Sequence, residues 1–274
     1  MVLESLISPE KAEKNPLSMV IYGFIFASIS IIFALLIFKE EASMVSVFIT
    51  VMISIPLVYS TMKYEENEDL IINDERTLMK QHWKALKYLI FLFFGFIIAY
   101  SIWFVALPSE LSQSLFSTQL NTISSINSKI SGNLLINSNI LIKIFINNLK
   151  VMLFCLFFSL FFGAGAIFIL TWNASVIGAA MGTFANEGIK SLGTHFISLP
   201  LSLFRYMIHG VFEISAYFMA ALAGGIISVA IINNDLKGEY KDKILKDSLD
   251  LIIMATAFII IGGIVEVFIT PLFF

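Results

Sequence analysis

The amino-acid sequence predicts an all-α fold, a polytopic transmembrane helical bundle of six full helices plus a broken or re-entrant segment. Composition is the first reason. Hydrophobic residues fill 58% of the 274 positions and charged residues 14%, against roughly 45–50% apolar and about 25% charged usage in soluble domains. The second reason is distribution. The apolar residues, with a mean hydropathy of +0.89 over the chain, gather into runs near the ~20 residues that cross a bilayer, where only intrahelical bonding satisfies the backbone.

Residues 1–16, "MVLESLISPEKAEKNP", mix Glu4, Glu10 and Glu13 with Lys11 and Lys14. They lack the basic n-region and small-residue cleavage site of a secretory signal, so they are expected to form a retained cytoplasmic lead-in. Residues 17–107 make an N-terminal three-helix membrane region, with spans at 17–38, 44–62 and 88–107. Its inner loop, "KYEENEDLIINDERTLMKQHWKALK" (63–87), sets charges at helical spacing among Leu70, Ile71, Leu78, Met79 and Trp83, the pattern of an amphipathic interfacial helix.

Residues 108–145 are a Ser/Asn-rich loop with Glu110 as its one acidic residue. The loop has too few apolar residues to bury a core, and reads as an extracytoplasmic arm that contacts a protein partner. Residues 146–274 form a second membrane domain, with spans at about 146–171, 207–232 and 251–272. Between them "WNASVIGAAMGTFANEGIK" gives one short apolar helix, Glu187 to Gly193 breaks it, and "THFISLPLSLF" gives another containing Pro200. That segment, 173–206, is expected to cross brokenly or to re-enter.

Basic residues orient the spans, because cytoplasmic loops are enriched in Lys and Arg. The 63–87 loop holds Lys63, Arg76, Lys80, Lys84 and Lys87, and the 233–250 loop holds Lys237, Lys241, Lys243 and Lys246. The 108–145 loop holds only Lys129 and Lys143. Counting the broken segment as one passage places the N-terminus in the cytoplasm and the C-terminus outside a plasma membrane.

Several function classes lack their signatures. The formal charge of −3 comes without a basic tract, so no nucleic-acid partner is expected. Cys155 is the single cysteine, which excludes an intrachain disulfide and a Cys-based metal cluster. There is no H-E-x-x-H, nucleophile elbow or Walker A loop, and no linear metal-ligand spacing. No catalytic residue, metal or cofactor is therefore expected, and the protein reads as non-enzymatic.

Intramembrane ionisable groups are costly and face a protein interior or a watered cavity. His209 and Glu213 stand one helical turn apart on a face that continues through Ala216, Ala220 and Gly224, small residues that let a neighbouring helix approach. Glu266 follows Gly262 and Gly263 on the last span, and is expected to face the same interior. Asn148 and Asn173 complete the expected intramembrane polar site, with Asn147, Lys150, Glu187 and Arg205 as further contributors. Three roles are open to such a set: bonding helices together, carrying a proton or cation, or acid–base chemistry.

The combination of Asn147-Asn148 opening a helix, "GAGAIFIL", Asn173 before Gly178, "HGVFEISAYFMAALAGG" and "IGGIVEVFITP" resembles the stage II sporulation protein M family of prokaryotic membrane proteins. The similarity covers roughly 145–274, and the first half looks like the additional helices of archaeal-type members. The H-G-x-F-E signature maps onto His209, Gly210, Phe212 and Glu213. Asn173-Ala174 stands where an Asn-Gly pair is usual. The family's namesake anchors peptidoglycan-degrading partners during engulfment, so the resemblance implies a membrane scaffold or assembly factor in envelope or membrane remodelling. Its partners would be the lipid bilayer and proteins bound through the outer loop or a membrane groove, with homo-oligomerisation open. The alternative is a transporter or channel component with a His/Glu pathway.

Overall fold

The computed structural model describes residues 8–131, 137–192, 195–238 and 240–273. Residues 1–7 of the lead-in and the side chain of Lys129 lie outside the described residues. The described chain is helical from one end to the other. Helix α1 (Pro9–Lys14) starts on Ser8, whose side chain accepts from the Lys11 amide, with Pro9 in the first turn where its missing N–H costs nothing. Then come α2 (Ser18–Ile37), α3 (Ala42–Ile71), α4 (Glu75–Ala106), α5 (Ser109–Leu115), α6 (Ser117–Ser131), α7 (Asn137–Phe162), α8 (Ala166–Leu192), α9 (His195–Asn233) and α10 (Lys241–Ile264). A π turn over Val265–Ile269 and a 3-10 turn over Thr270–Leu272 close the chain.

Seven of these helices, α2, α3, α4, α7, α8, α9 and α10, are long and apolar enough to cross a membrane. Their ends sort cleanly. At one end Gln81 of α4 donates to Glu13 of α1 at 2.7 Å, Asn233 of α9 donates to Glu66 of α3 at 3.2 Å, and Lys243 and Lys246 of α10 reach the Ile72 carbonyl and Glu75. At the other end Ser43 of α3 donates to Gln119 of α6 at 2.8 Å. The two Lys/Arg-rich segments thus share one end of the bundle.

The described residues of the passage expected to be broken are helical, one helix running to Leu192 and the next starting at His195. The fourth span stops at Phe162 rather than running to 171, because Gly163 takes a left-handed conformation (φ +59°) that ends the helix, and Ser159 donates to its carbonyl at 2.7 Å. Helix α8 then crosses in its own right. Its glycines are contact points rather than breaks: a Cβ at Gly178 would sit 2.5 Å from that of Tyr100, and one at Gly182 2.5 Å from the Phe104 ring. "HFISLPLSLF" makes the N-terminal turns of α9, and Pro200, near the first turns of a 39-residue helix, forfeits only one intrahelical bond.

The inner loop also differs. No interfacial helix lies across the membrane surface over 63–87. Instead α3 and α4 continue as an antiparallel pair joined at 72–74, with Asp74 capping α4 by accepting from the Thr77 amide at 2.9 Å. The Thr77 hydroxyl donates to the same carboxylate oxygen at 2.5 Å, and that bond and the amide bond hold the Asp74 carboxyl below its ordinary pKa. The described residues of the 108–145 segment are largely helical as well, and Gln119 of α6 is buried, donating to Ser175 of α8 at 3.1 Å.

At the centre lies α9, with 89% of its span buried, whereas α2, α7 and α10 turn most of theirs outward. It packs on α7, α8, α10, α3 and α4. Small residues make this possible: a Cβ on Gly224 would sit 2.5 Å from the Leu156 carbonyl of α7.

Candidate functional site

Helices α7, α9 and α10 meet around Glu213. The i, i+4 spacing stacks His209 and Glu213 on one face of α9, and Gly262 of α10 lies so close that an added Cβ would sit 2.9 Å from Glu213 Cγ. Beyond Gly262 and Gly263 the backbone loosens into the π turn. Such one-turn insertions re-aim side chains at functional positions, and here the turn carries Glu266.

The structure brings His209, Glu213 and Glu266 together. Each is half-buried, and one ligand-type atom from each lies within 4.8 Å of the other two. One carboxylate oxygen of Glu213 and one of Glu266 lie within 4.8 Å of each other. Asn148 of α7 donates its side-chain N–H to Glu213 Oε1 at 2.5 Å and accepts from the Tyr217 hydroxyl at 3.0 Å. One buried asparagine therefore ties α7 to two successive turns of α9. On the far side His209 Nδ1 lies 3.3 Å from Thr270 Oγ1.

Other expected residues stand apart. Asn173 is half-buried on α8 and donates to the Ile169 carbonyl of its own helix at 2.8 Å. Asn147 and Lys150 lie on the exposed side of α7, and Glu187 is exposed near the end of α8. Arg205, one turn before His209, sits with its guanidinium 5.0 Å over the Phe184 ring.

A second polar cluster was not anticipated. His82 of α4 lies between two carboxylates of α3, with Nδ1 2.7 Å from Glu65 and Nε2 3.2 Å from Asp69, all three fully buried. Glu66 and Asp247 are buried beside it. Glu13 packs near Glu65, and its carboxyl is held above the usual carboxylate range, by burial first and by the Glu65 charge second. A signal was present: the buried stripe of α3 through Ser54, Val58 and Thr61 reaches Glu65 and Asp69 at the same spacing, so the charged stretch continues a packed face.

Together these features define a multi-pass helical membrane protein with an interior polar cluster shared by three spans. A family model described as stage II sporulation protein M matches residues 89–271. An uncharacterized protein of the archaeon Methanocaldococcus jannaschii is 31% identical over 178 residues, covering 60% of this chain and 94% of that protein. No solved structure matches. The chain belongs to the stage II sporulation protein M family.

Proposed function

We propose that this protein is a non-enzymatic scaffold or assembly factor of the plasma membrane, acting in envelope or membrane remodelling. The observation that carries the reading is the cross-link of Asn148 to Glu213 and Tyr217, which spends the interior polar groups on joining helices. The Lys/Arg-rich end is assigned to the cytoplasm, which puts the N-terminus inside and leaves α5 and α6 outside, as the surface for a protein partner.

A second reading, a proton or cation pathway, draws on the half-burial of Glu213 and Glu266. One experiment separates the two. In proteoliposomes under a pH or cation gradient, the scaffold reading expects no flux above protein-free vesicles. In native membranes it expects a cross-linkable complex that weakens with Glu213→Gln. Flux that Glu213→Gln abolishes would establish the pathway instead.

A further inference from the structure

We propose that His209, Glu213 and Glu266 form a binding site for one divalent transition-metal ion, of the Zn²⁺ or Mn²⁺ class, that clasps α9 to the π turn following α10. This goes beyond the scaffold reading and does not depend on it.

Geometry comes first. Three atoms within 4.8 Å of one another leave a common point no more than about 2.8 Å from each, and bonding distances are about 2.0–2.2 Å for imidazole nitrogen and carboxylate oxygen. Side-chain shifts of well under 1 Å, within ordinary rotamer freedom, close that gap. The donors come from two segments 53 residues apart in sequence, which is why no linear ligand motif announces them.

Charge is the second argument. Two carboxylates within 4.8 Å of each other inside a bundle of low dielectric repel strongly as bare anions. Among the described residues no lysine or arginine forms a salt bridge with either. A divalent ion neutralises the pair, whereas a single shared proton leaves one negative charge within the membrane.

The third argument is the state of the imidazole. Thr270 donates its one hydroxyl hydrogen to the Val265 carbonyl at 3.2 Å, so toward His209 its oxygen is an acceptor. That assigns the proton to Nδ1 and leaves a lone pair on Nε2, the arrangement by which an outer partner orients a metal-ligating histidine. Asn148 does the same for Glu213 by holding Oε1. One nitrogen and two oxygens suit zinc, manganese or iron(II), while magnesium and calcium favour oxygen alone. Half-burial of all three residues leaves an approach for the ion.

The test uses the full-length chain, stripped with a chelator, placed in nanodiscs and titrated with Zn²⁺ alone and Mn²⁺ alone. The expected result is one ion per chain, zinc binding tighter than manganese, and a zinc X-ray absorption spectrum with one imidazole and otherwise oxygen. His209→Gln and Glu266→Gln should each weaken binding at least about tenfold, and Thr270→Val, which keeps all three ligands, by roughly 10- to 100-fold. Glu187→Gln should bind as wild type does. The proposal is overturned if the folded wild type takes up no stoichiometric ion, or if Glu213→Gln/Glu266→Gln binds as tightly as wild type. Should ligand variants fail to fold, the wild-type spectrum decides, and sulfur or a second imidazole in the shell would sink the assignment.

Discussion

Two clusters of one histidine and two carboxylates sit in this molecule, and they are built in opposite ways. In the first, at the Lys/Arg-rich end, His82 lies between Glu65 and Asp69 and touches both with its two ring nitrogens. In the second, between α9 and α10, His209 Nδ1 lies 3.3 Å from Thr270 Oγ1, and one ligand-type atom of each of His209, Glu213 and Glu266 lies within 4.8 Å of the other two. The first cluster is fully buried and sets one imidazole between two carboxylates. The second is half-buried and leaves its carboxylates to share whatever positive charge arrives. Imidazole and carboxylates thus become a closed structural knot where they are fully buried and an open receiving site where they are half-buried.

The sharpest way to break that contrast is to remove each histidine. His82→Ala strands buried carboxylates that lose their common partner, and breaking such a set costs about 3–5 kcal/mol. His209→Ala loses one long hydrogen bond to a hydroxyl, and should cost about 1 kcal/mol or less in metal-free protein. Unfolding in lipid nanodiscs, followed by circular dichroism, reads both. Equal costs would erase the distinction.

Next in size is Asn148→Leu. It leaves Glu213 and the Tyr217 hydroxyl without their shared partner, which should cost about 1–3 kcal/mol, seen as a lower unfolding midpoint in the same assay. The smallest effect belongs to the rim of the closed cluster. The folded Glu13 carboxyl lies above its ordinary pKa, so the folded state binds that proton more tightly than the unfolded chain. The stabilisation is fully present below the unfolded value and is lost as pH rises through the folded one. Docking of α1, followed by hydrogen exchange, should therefore loosen as pH rises through that window, and Glu13→Gln should flatten the dependence.

Much of this architecture was legible in the sequence, because apolar run length is a direct consequence of bilayer thickness. Six spans could be placed from it. The seventh was obscured by the polar stretch from Glu187 and by Pro200, which read as interruptions; α8 runs on through Glu187 to Leu192, and Pro200 is tolerated near a helix start. His209 and Glu213 were visible through their spacing, and Glu266 through its glycine pair. Asn148 was marked by its place at the opening of a helix, but its bond to Glu213 depends on how α7 docks, which no local pattern encodes. The Glu65–His82–Asp69 knot escaped because charged residues beyond the end of a span look solvated. Only the register of the buried α3 stripe reveals that they face inward.

The account rests on Asn148 and Glu213 acting as a cross-link between α7 and α9. The most direct measurement is a double-mutant cycle, with Asn148→Leu and Glu213→Leu made singly and together and unfolding free energies compared in the same lipid. The account predicts a coupling of about 0.5–2 kcal/mol, within the range for contacting polar pairs in membranes and folded proteins. Additive losses, with coupling near zero, would contradict it and leave the polar interior without its structural role.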